Sequence, residues 1–292
     1  MQEVHQEAKI GVIGGSGLYE MLEGVEDLRT MRVTTPFGEL SDEYLLGTLK
    51  GVKLAFLPRH GRGHRIMPTE INFRANIYGM KVLGVERIIS VSAVGSMKNE
   101  IIPGDIVIPD QFYDHTKQRK STFFGDGIVC HVAMADPVCP ELLSVLYDSG
   151  KKIGGKVHKG GTYFCIEGPQ FSTRGESMIY RQWGVDVIGM TNIQEAKLAR
   201  EAEICYATLA LATDYDCWHA HAEDVTVEMV IATLKKNVDT AKDIIMEALG
   251  RLDSERICPC PRALESAIIT DTKAISKETK KRLGPLIGKY IK

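Results

Sequence analysis

The sequence predicts an α/β fold, a single domain built on a substantial mixed β-sheet flanked by helices. Three observations carry this. Short apolar runs of the kind buried on both faces, at residues 87–94 and 204–213, alternate with segments of helical period. The clearest helix starts near Thr226, where Val227, Val230, Ile231, Leu234, Val238, Ala241, Ile244, Ile245, Ala248 and Leu249 hold one face over about six turns. No linker composition breaks the chain before about residue 253, so residues 1–252 read as one domain. Residues 253–292 read as a linker and a basic helical tail packing on that domain, broken at Gly284-Pro285.

The elements follow in order. Residues 9–13 form a short strand running into Gly14-Gly15-Ser16-Gly17. Residues 31–35 and 43–50 have strand character, with turn signals at Pro36-Phe37-Gly38 and Lys50-Gly51, and residues 52–57 follow as a hairpin partner. Residues 71–83 carry a helical stripe, and residues 87–94 and 105–108 read as buried strands. Residues 140–149 read as a helix, 156–166 as one or two strands, 174–183 as a helix, 186–188 as a strand and 194–202 as a helix.

Composition narrows the function classes. With 292 residues, 44% hydrophobic, and a net charge of −2, nothing global favours nucleic acid or membrane as a partner. No apolar run approaches the roughly 20 residues needed to span a bilayer, and the polar N-terminus lacks a signal-peptide core, so a cytoplasmic protein is expected. Spacing fixes no pairing among the seven cysteines, which read as small buried residues in a reducing compartment. Cys258-Pro-Cys260 is a lone C-x-C, short of the four ligands of a zinc site, and no other metal-ligand pattern stands out.

Five segments at strand ends can carry chemistry. Arg59-His60-Gly61-Arg62-Gly63-His64-Arg65 follows an apolar strand; it is either a solvated basic loop or an anion site, since the arginine fork suits phosphate. The Gly14 to Gly17 turn can cradle an anion through backbone N–H groups and Ser16, or simply turn. Read as a dinucleotide fingerprint it fails, with Glu20 in place of the last glycine. Ser92 and Ala93 lie at the end of a buried strand, where ligands of α/β sheets gather. Beyond Gly168-Pro169, Phe171 can present a ring to a base or fill the core, with Ser172 beside it. Met190 and Thr191 join a strand to a helix, Thr191 as an anion ligand or an N-cap. Thr213-Asp214-Tyr215-Asp216 ends a very apolar strand; its acids are either solvated in a turn or held in a cleft with a raised pKa, as a proton donor requires.

Gly-Gly-Ser-Gly-Leu-Tyr, Arg-His-Gly-Arg-Gly-His, Ser-Ala-Val-Gly-Ser, Ile-Glu-Gly-Pro-Gln-Phe-Ser and Thr-Asp-Tyr-Asp occur in this order between about residues 9 and 250. In this the chain resembles the trimeric purine nucleoside phosphorylase family and, within it, the 5′-methylthioadenosine phosphorylases. The resemblance implies a central sheet that is partly barrel-like. It assigns phosphate binding to Ser16, Arg59, His60, Ser92 and Thr191, with serine at two positions where the family often has threonine. Substrate binding falls to Ala93, Phe171, Ser172, Met190, Asp214 and Asp216, and the 5′-alkylthio pocket to Val227, Val230 and Ile231. His131 matches a residue that reaches the pocket of a neighbouring subunit, which implies a homotrimer.

The implied reaction is phosphorolysis of an N-glycosidic bond, with inorganic phosphate as co-substrate, no cofactor and no metal. Asp214 and Asp216 would be the catalytic acids. An aspartate at 214 favours 6-aminopurines, whereas Asn192-Ile193-Gln194-Glu195 departs from the commoner threonine-valine-proline-glutamate run and is shared in part with methylthioinosine-preferring relatives. The rival readings are a phosphorylase of inosine, guanosine or methylthioinosine, a dinucleotide-binding oxidoreductase, and a non-enzymatic regulator. The resemblance leaves open whether Cys139 pairs with Cys205, Cys258 with Cys260, and what the tail from Ser276 does.

Overall fold

The computed structural model describes residues 4–15, 24–219, 226–252 and 255–291. The sheet is organised by β5 (Arg87–Ser96), which has neighbours on both sides along its length. Its first half pairs in parallel with β1 (Ile10–Gly14), which in turn lies parallel to β4 (Val52–Pro58). An antiparallel meander extends this side through β3 (Tyr44–Leu49) to the edge strand β2 (Glu26–Met31). The other flank of β5 pairs in parallel with β11 (Cys205–Asp214), every residue of which is buried. From β11 the sheet continues through β6 (Ile106–Ile108) to β8 (Val157–Lys159).

The C-terminal end of β5 turns instead to β10 (Val187–Gly189), then β9 (Thr162–Ile166) and β7 (Gln111–His115). This second arm curls towards the first. Val107 of β6 and Ala210 of β11 share one apolar cluster with Tyr163 of β9 and Val187 of β10, against which Phe112 of β7 packs. Strands far apart in the pairing order can share side chains only if the sheet wraps over itself, giving the partly barrel-like form.

Helices cover both faces. On one, α1 (Phe73–Val82) and α4 (Asn192–Glu201) pack together; on the other, α2 (Pro140–Lys152) packs on α5 (Val227–Leu249). A third helix, α3 (Arg174–Gln182), is capped by a reciprocal pair in which Thr173 accepts from the Glu176 N–H and Glu176 accepts from the Thr173 N–H. The segment after α5 is docked on the domain. Leu264, Ile275, Leu283, Leu286 and Ile287 belong to the same core as α1 and α4, and the tail forms α6 (Lys277–Arg282) and α7 (Gly284–Ile287). Each fully buried aliphatic side chain of this kind contributes about 1.5–3 kcal/mol.

One local expectation fails and one strand was not foreseen. Residues 31–35 are not a strand; the pairing partner of β3 is Glu26–Met31, whose residues 26–30 are all exposed. With residues 26–30 all in solvent, this edge strand buries neither face and carries no periodic signal. β7 went unforeseen because Gln-Phe-Tyr-Asp-His mixes polar and aromatic residues on a half-buried strand.

Candidate active site

The ends of these strands open into one cavity of about 660 Å³, within the range of small-molecule sites. It is lined by Arg59, His60, Ser92, Ala93, Phe171, Ser172, Met190, Thr191, Asp214, Asp216, Val227, Val230 and Ile231. Gly14 and Gly15 also line it; Ser16 lies outside the described residues. His131 is exposed and does not line its own chain's cavity, its backbone N–H donating to the Ala267 carbonyl.

The end of the cavity rich in cationic and hydroxyl groups is built from β4, β5 and α4. The Arg59 N–H donates to the Gly14 carbonyl at 2.8 Å, which locks the end of β4 to the glycine turn. Arg59 is buried to 1% exposure and nearly saturated. Its Nε donates to Glu195 Oε1 at 2.5 Å, one terminal nitrogen to Glu195 Oε2 and Ser90 Oγ, and the other to the Val91 carbonyl. Four of its five N–H groups are thereby committed, leaving one for a ligand. Burial works against its charge, but Glu195 more than offsets this and raises its pKa. Breaking such a buried pair costs about 3–5 kcal/mol.

His60 places Nδ1 2.8 Å from the Ile66 carbonyl, a contact that requires the proton on Nδ1 and leaves Nε2 as the other functional atom. Burial, followed by the charge of Arg59, lowers its pKa to about 4, so the ring is neutral at pH 7. Thr191 occupies the N-cap position of α4 but makes no side-chain cap bond. Its hydroxyl sits 3.5 Å from Ser92 Oγ and donates to Asn192 Oδ1, so two hydroxyls face the same end, with the positive end of α4 behind them.

The carboxylate end is set by the strand register. Asp214 pairs with Gly95 of β5, while Ala210 pairs with Ser92. Three residues along a strand span roughly 10 Å, which sets the separation of Ser92 and Asp214 along the cavity. An irregularity between Ala212 and Asp214 inserts Thr213 and re-aims the next side chain. Asp214 Oδ2 accepts from Thr213 Oγ at 2.7 Å and Oδ1 from the Asp216 N–H at 2.8 Å. Gly95 is needed here, because a Cβ there would lie 2.9 Å from Asp214 Oδ1. Burial raises the pKa of Asp214 despite these donors, and burial likewise raises that of Asp216. Neither acid is a solvated turn residue.

The remaining walls are apolar. Val227, Val230, Ile231, Leu234 and Val238 turn the first half of α5 to the cavity, while Ala241, Ile244, Ile245 and Ala248 continue the stripe into the core. Phe171 keeps 45% of its surface exposed at the rim. Met190 is fixed from behind by Arg119, which donates to the Met190, Ile166 and Glu167 carbonyls and to Gln194 Oε1. Gly168 stays small because a Cβ there would lie 2.5 Å from Met190 Sδ.

Sequence reasoning missed Arg119, Glu195 and Ser90, which reach the site through side chains distant in the chain, and the lining residues Ile66, Met67, Pro68 and Glu70. The last four follow directly on the basic run that ends at Arg65, and adjacency to it was the one available signal. Asn192 is fully buried beneath the cavity, its amide nitrogen within 2.8–3.1 Å of Thr208 Oγ, Tyr206 Oη and Ser90 Oγ, and it does not line the cavity.

Fold and site together define a nucleoside-sized cavity at the strand ends of an α/β sheet, with a basic, hydroxyl-rich end and a carboxylate end. The Phosphorylase superfamily profile matches residues 9–250, and the chain belongs to that family. It is 63% identical over 286 residues to the S-methyl-5′-thioadenosine phosphorylase of Geobacter sulfurreducens, covering 98% of this chain and 100% of that one. Among solved structures it is similar to a methylthioadenosine phosphorylase from an antarctic soil metagenomic library, at 52% identity and a TM-score of 0.91, covering 96% and 99% of the two chains. It is also similar to the methylthioadenosine phosphorylase of Schistosoma mansoni in complex with adenine, at 33% identity and a TM-score of 0.82, covering 96% and 98%.

Proposed function

We propose that this chain cleaves 5′-methylthioadenosine with inorganic phosphate, releasing adenine and 5-methylthioribose 1-phosphate. The observation that carries the reading is the pairing of an anion nest and a buried acid along β5, Ser92 at one position and Asp214 opposite Gly95 at the other, beside an apolar helix face. The names of the relatives agree with it.

In this reading phosphate sits among Arg59, His60, Ser92, Thr191 and the Gly14–Gly15 backbone. Met190 packs against the ribose, Phe171 stacks on the base, and Val227, Val230 and Ile231 enclose the methylthio group. The bond between C1′ and the purine nitrogen breaks with its electron pair leaving on the base. Protonated Asp214 donates to N7, neutralising the leaving group, while Asp216 orients it through its backbone N–H. The anion stabilises the oxocarbenium-like ribose and closes the new C1′–O bond from the opposite face. Phosphate is a co-substrate and the chemistry draws on no further cofactor.

The active form is a homotrimer in which His131 completes a neighbouring 5′ pocket. Its support is an exposed apolar patch on β7 and α3, formed by Tyr113, Met178, Ile179 and Trp183. No helix among the described residues is long and apolar enough to cross a membrane. Buried unpaired cysteines suit the reducing cytoplasm.

Base release from methylthioadenosine, adenosine, inosine and methylthioinosine, with and without phosphate, tests the reading, together with the mass in solution. Phosphate-dependent adenine release, fastest from methylthioadenosine, by a particle of three chains is expected. Preferential release of hypoxanthine would overturn the base assignment.

A further inference from the structure

Far from the cavity, Cys139, Cys205, Cys258 and Cys260 converge, all buried, with their sulfur atoms all within 4.8 Å of one another. The C-x-C that stands two ligands short in the sequence thus gains its missing partners from elements 119 and 53 residues away from Cys258, at Cys139 and Cys205. We propose that these four cysteines form a tetrathiolate site for one structural zinc ion.

The geometry matches that ion. Zinc–sulfur bonds of about 2.3 Å in a tetrahedron put the sulfurs about 3.8 Å apart. The cluster lies around this value, with Cys205 Sγ and Cys258 Sγ 3.3 Å apart and none of the four joined in a disulfide. An all-sulfur, closed set selects zinc among the common divalent ions, and four protein ligands leave no open position, as in a structural rather than a catalytic centre.

The surroundings hold the ligands in place. Cys139 is the N-cap of α2, where its sulfur accepts the Leu142 N–H. Glu141, in the first turn of α2, accepts the N–H groups of Ile257 and Cys258 and so docks the C-x-C loop onto the same helix end. Arg87, buried and paired in register with Cys205, donates to Glu141 and to the Glu255 carbonyl. Arg256 binds the Glu86 and Glu203 carbonyls nearby. Together these contacts tie the start of β11, the start of α2 and the C-x-C loop to one another.

Cys205 opens β11 and Asp214 closes it, so the centre lies roughly 30 Å from the acid along a nine-residue rise. Its task is to clamp the segment after α5, which leads to the tail, onto the start of the strand that carries Asp214.

The full-length chain, produced in zinc-sufficient medium and purified without chelator, should carry about one zinc per chain by elemental analysis. Titration with an organomercurial should release it in step with the cluster thiols. Cobalt exchange should give the thiolate charge-transfer and tetrahedral d–d bands of a tetrathiolate. Cys258→Ser/Cys260→Ser should lose the metal and melt earlier, while retaining its rate of phosphorolysis below the melting transition. If that variant does not fold, the metal content, cobalt spectrum and intact mass of the wild-type chain decide alone. Zinc below about a tenth per chain, iron in its place, or a mass lower by four hydrogens from two disulfides would overturn the proposal.

Discussion

Asp214→Asn separates proton donation from every other task of this site. The substitution keeps shape and hydrogen bonding. The asparagine oxygen can still accept the Asp216 N–H, and its amide can donate to Thr213 Oγ, which is then free to donate to the Val94 carbonyl already 3.2 Å away. What disappears is the transferable proton. Positioned general acids contribute about 10²–10⁴ in rate, or about 3–5 kcal/mol, so kcat should fall by that factor. KM for phosphate should hold, because the anion nest lies three residues away along β5. The wild-type rate should fall as pH rises through the raised pKa of Asp214, and this limb should vanish in the variant. The raised folded pKa means that the stability contributed by the acid is present at low pH and lost as pH rises. At neutral pH, therefore, the variant should be at least as stable as the wild type. The assay is initial-rate adenine release from methylthioadenosine at saturating phosphate across pH, with thermal melting alongside. A variant with an unchanged melt and more than about a tenth of the wild-type kcat refutes the role given to Asp214.

Other consequences follow from the same network. His60 is held near pKa 4 in the folded chain against an ordinary 6.5, so the unfolded chain binds the extra proton between these values and stability drains away as pH falls from 6.5 towards 4. The loss is on the order of 3 kcal/mol; His60→Gln, studied by urea denaturation without phosphate, should flatten the profile in that window, and an unchanged profile would contradict the burial argument. Asn192→Thr should cost about 1–3 kcal/mol by stripping donors from Ser90, Tyr206 and Thr208. Because Asn192 is beneath the cavity, the ratio of methylthioadenosine to methylthioinosine turnover should not move; a shift towards the 6-oxopurine would show that it reads the base.

Much of the architecture is legible locally. The buried runs that became β5 and β11 and the stripe of α5 are periodic signals, and periodicity follows from burial. The basic segment after β4 and the acids after β11 stand at strand ends, where the fold gathers its ligand-binding atoms. β2 and β7 were hidden because an exposed edge and a half-buried strand impose no such period.

The sequence by itself determined the fold class, most of the elements other than β2 and β7, and many of the residue types at the cavity, since patterning and strand-end chemistry are properties of contiguous residues. Only the tertiary structure decided that Arg59 spends four of its five N–H groups on Glu195, Ser90 and Val91, that Asn192 lies beneath the cavity and not in it, and that four cysteines meet at one point. These are contacts between residues tens to more than a hundred positions apart. Their partners are chosen by the register of β5 against β11 and by the docking of helices on the sheet, and no local pattern encodes either.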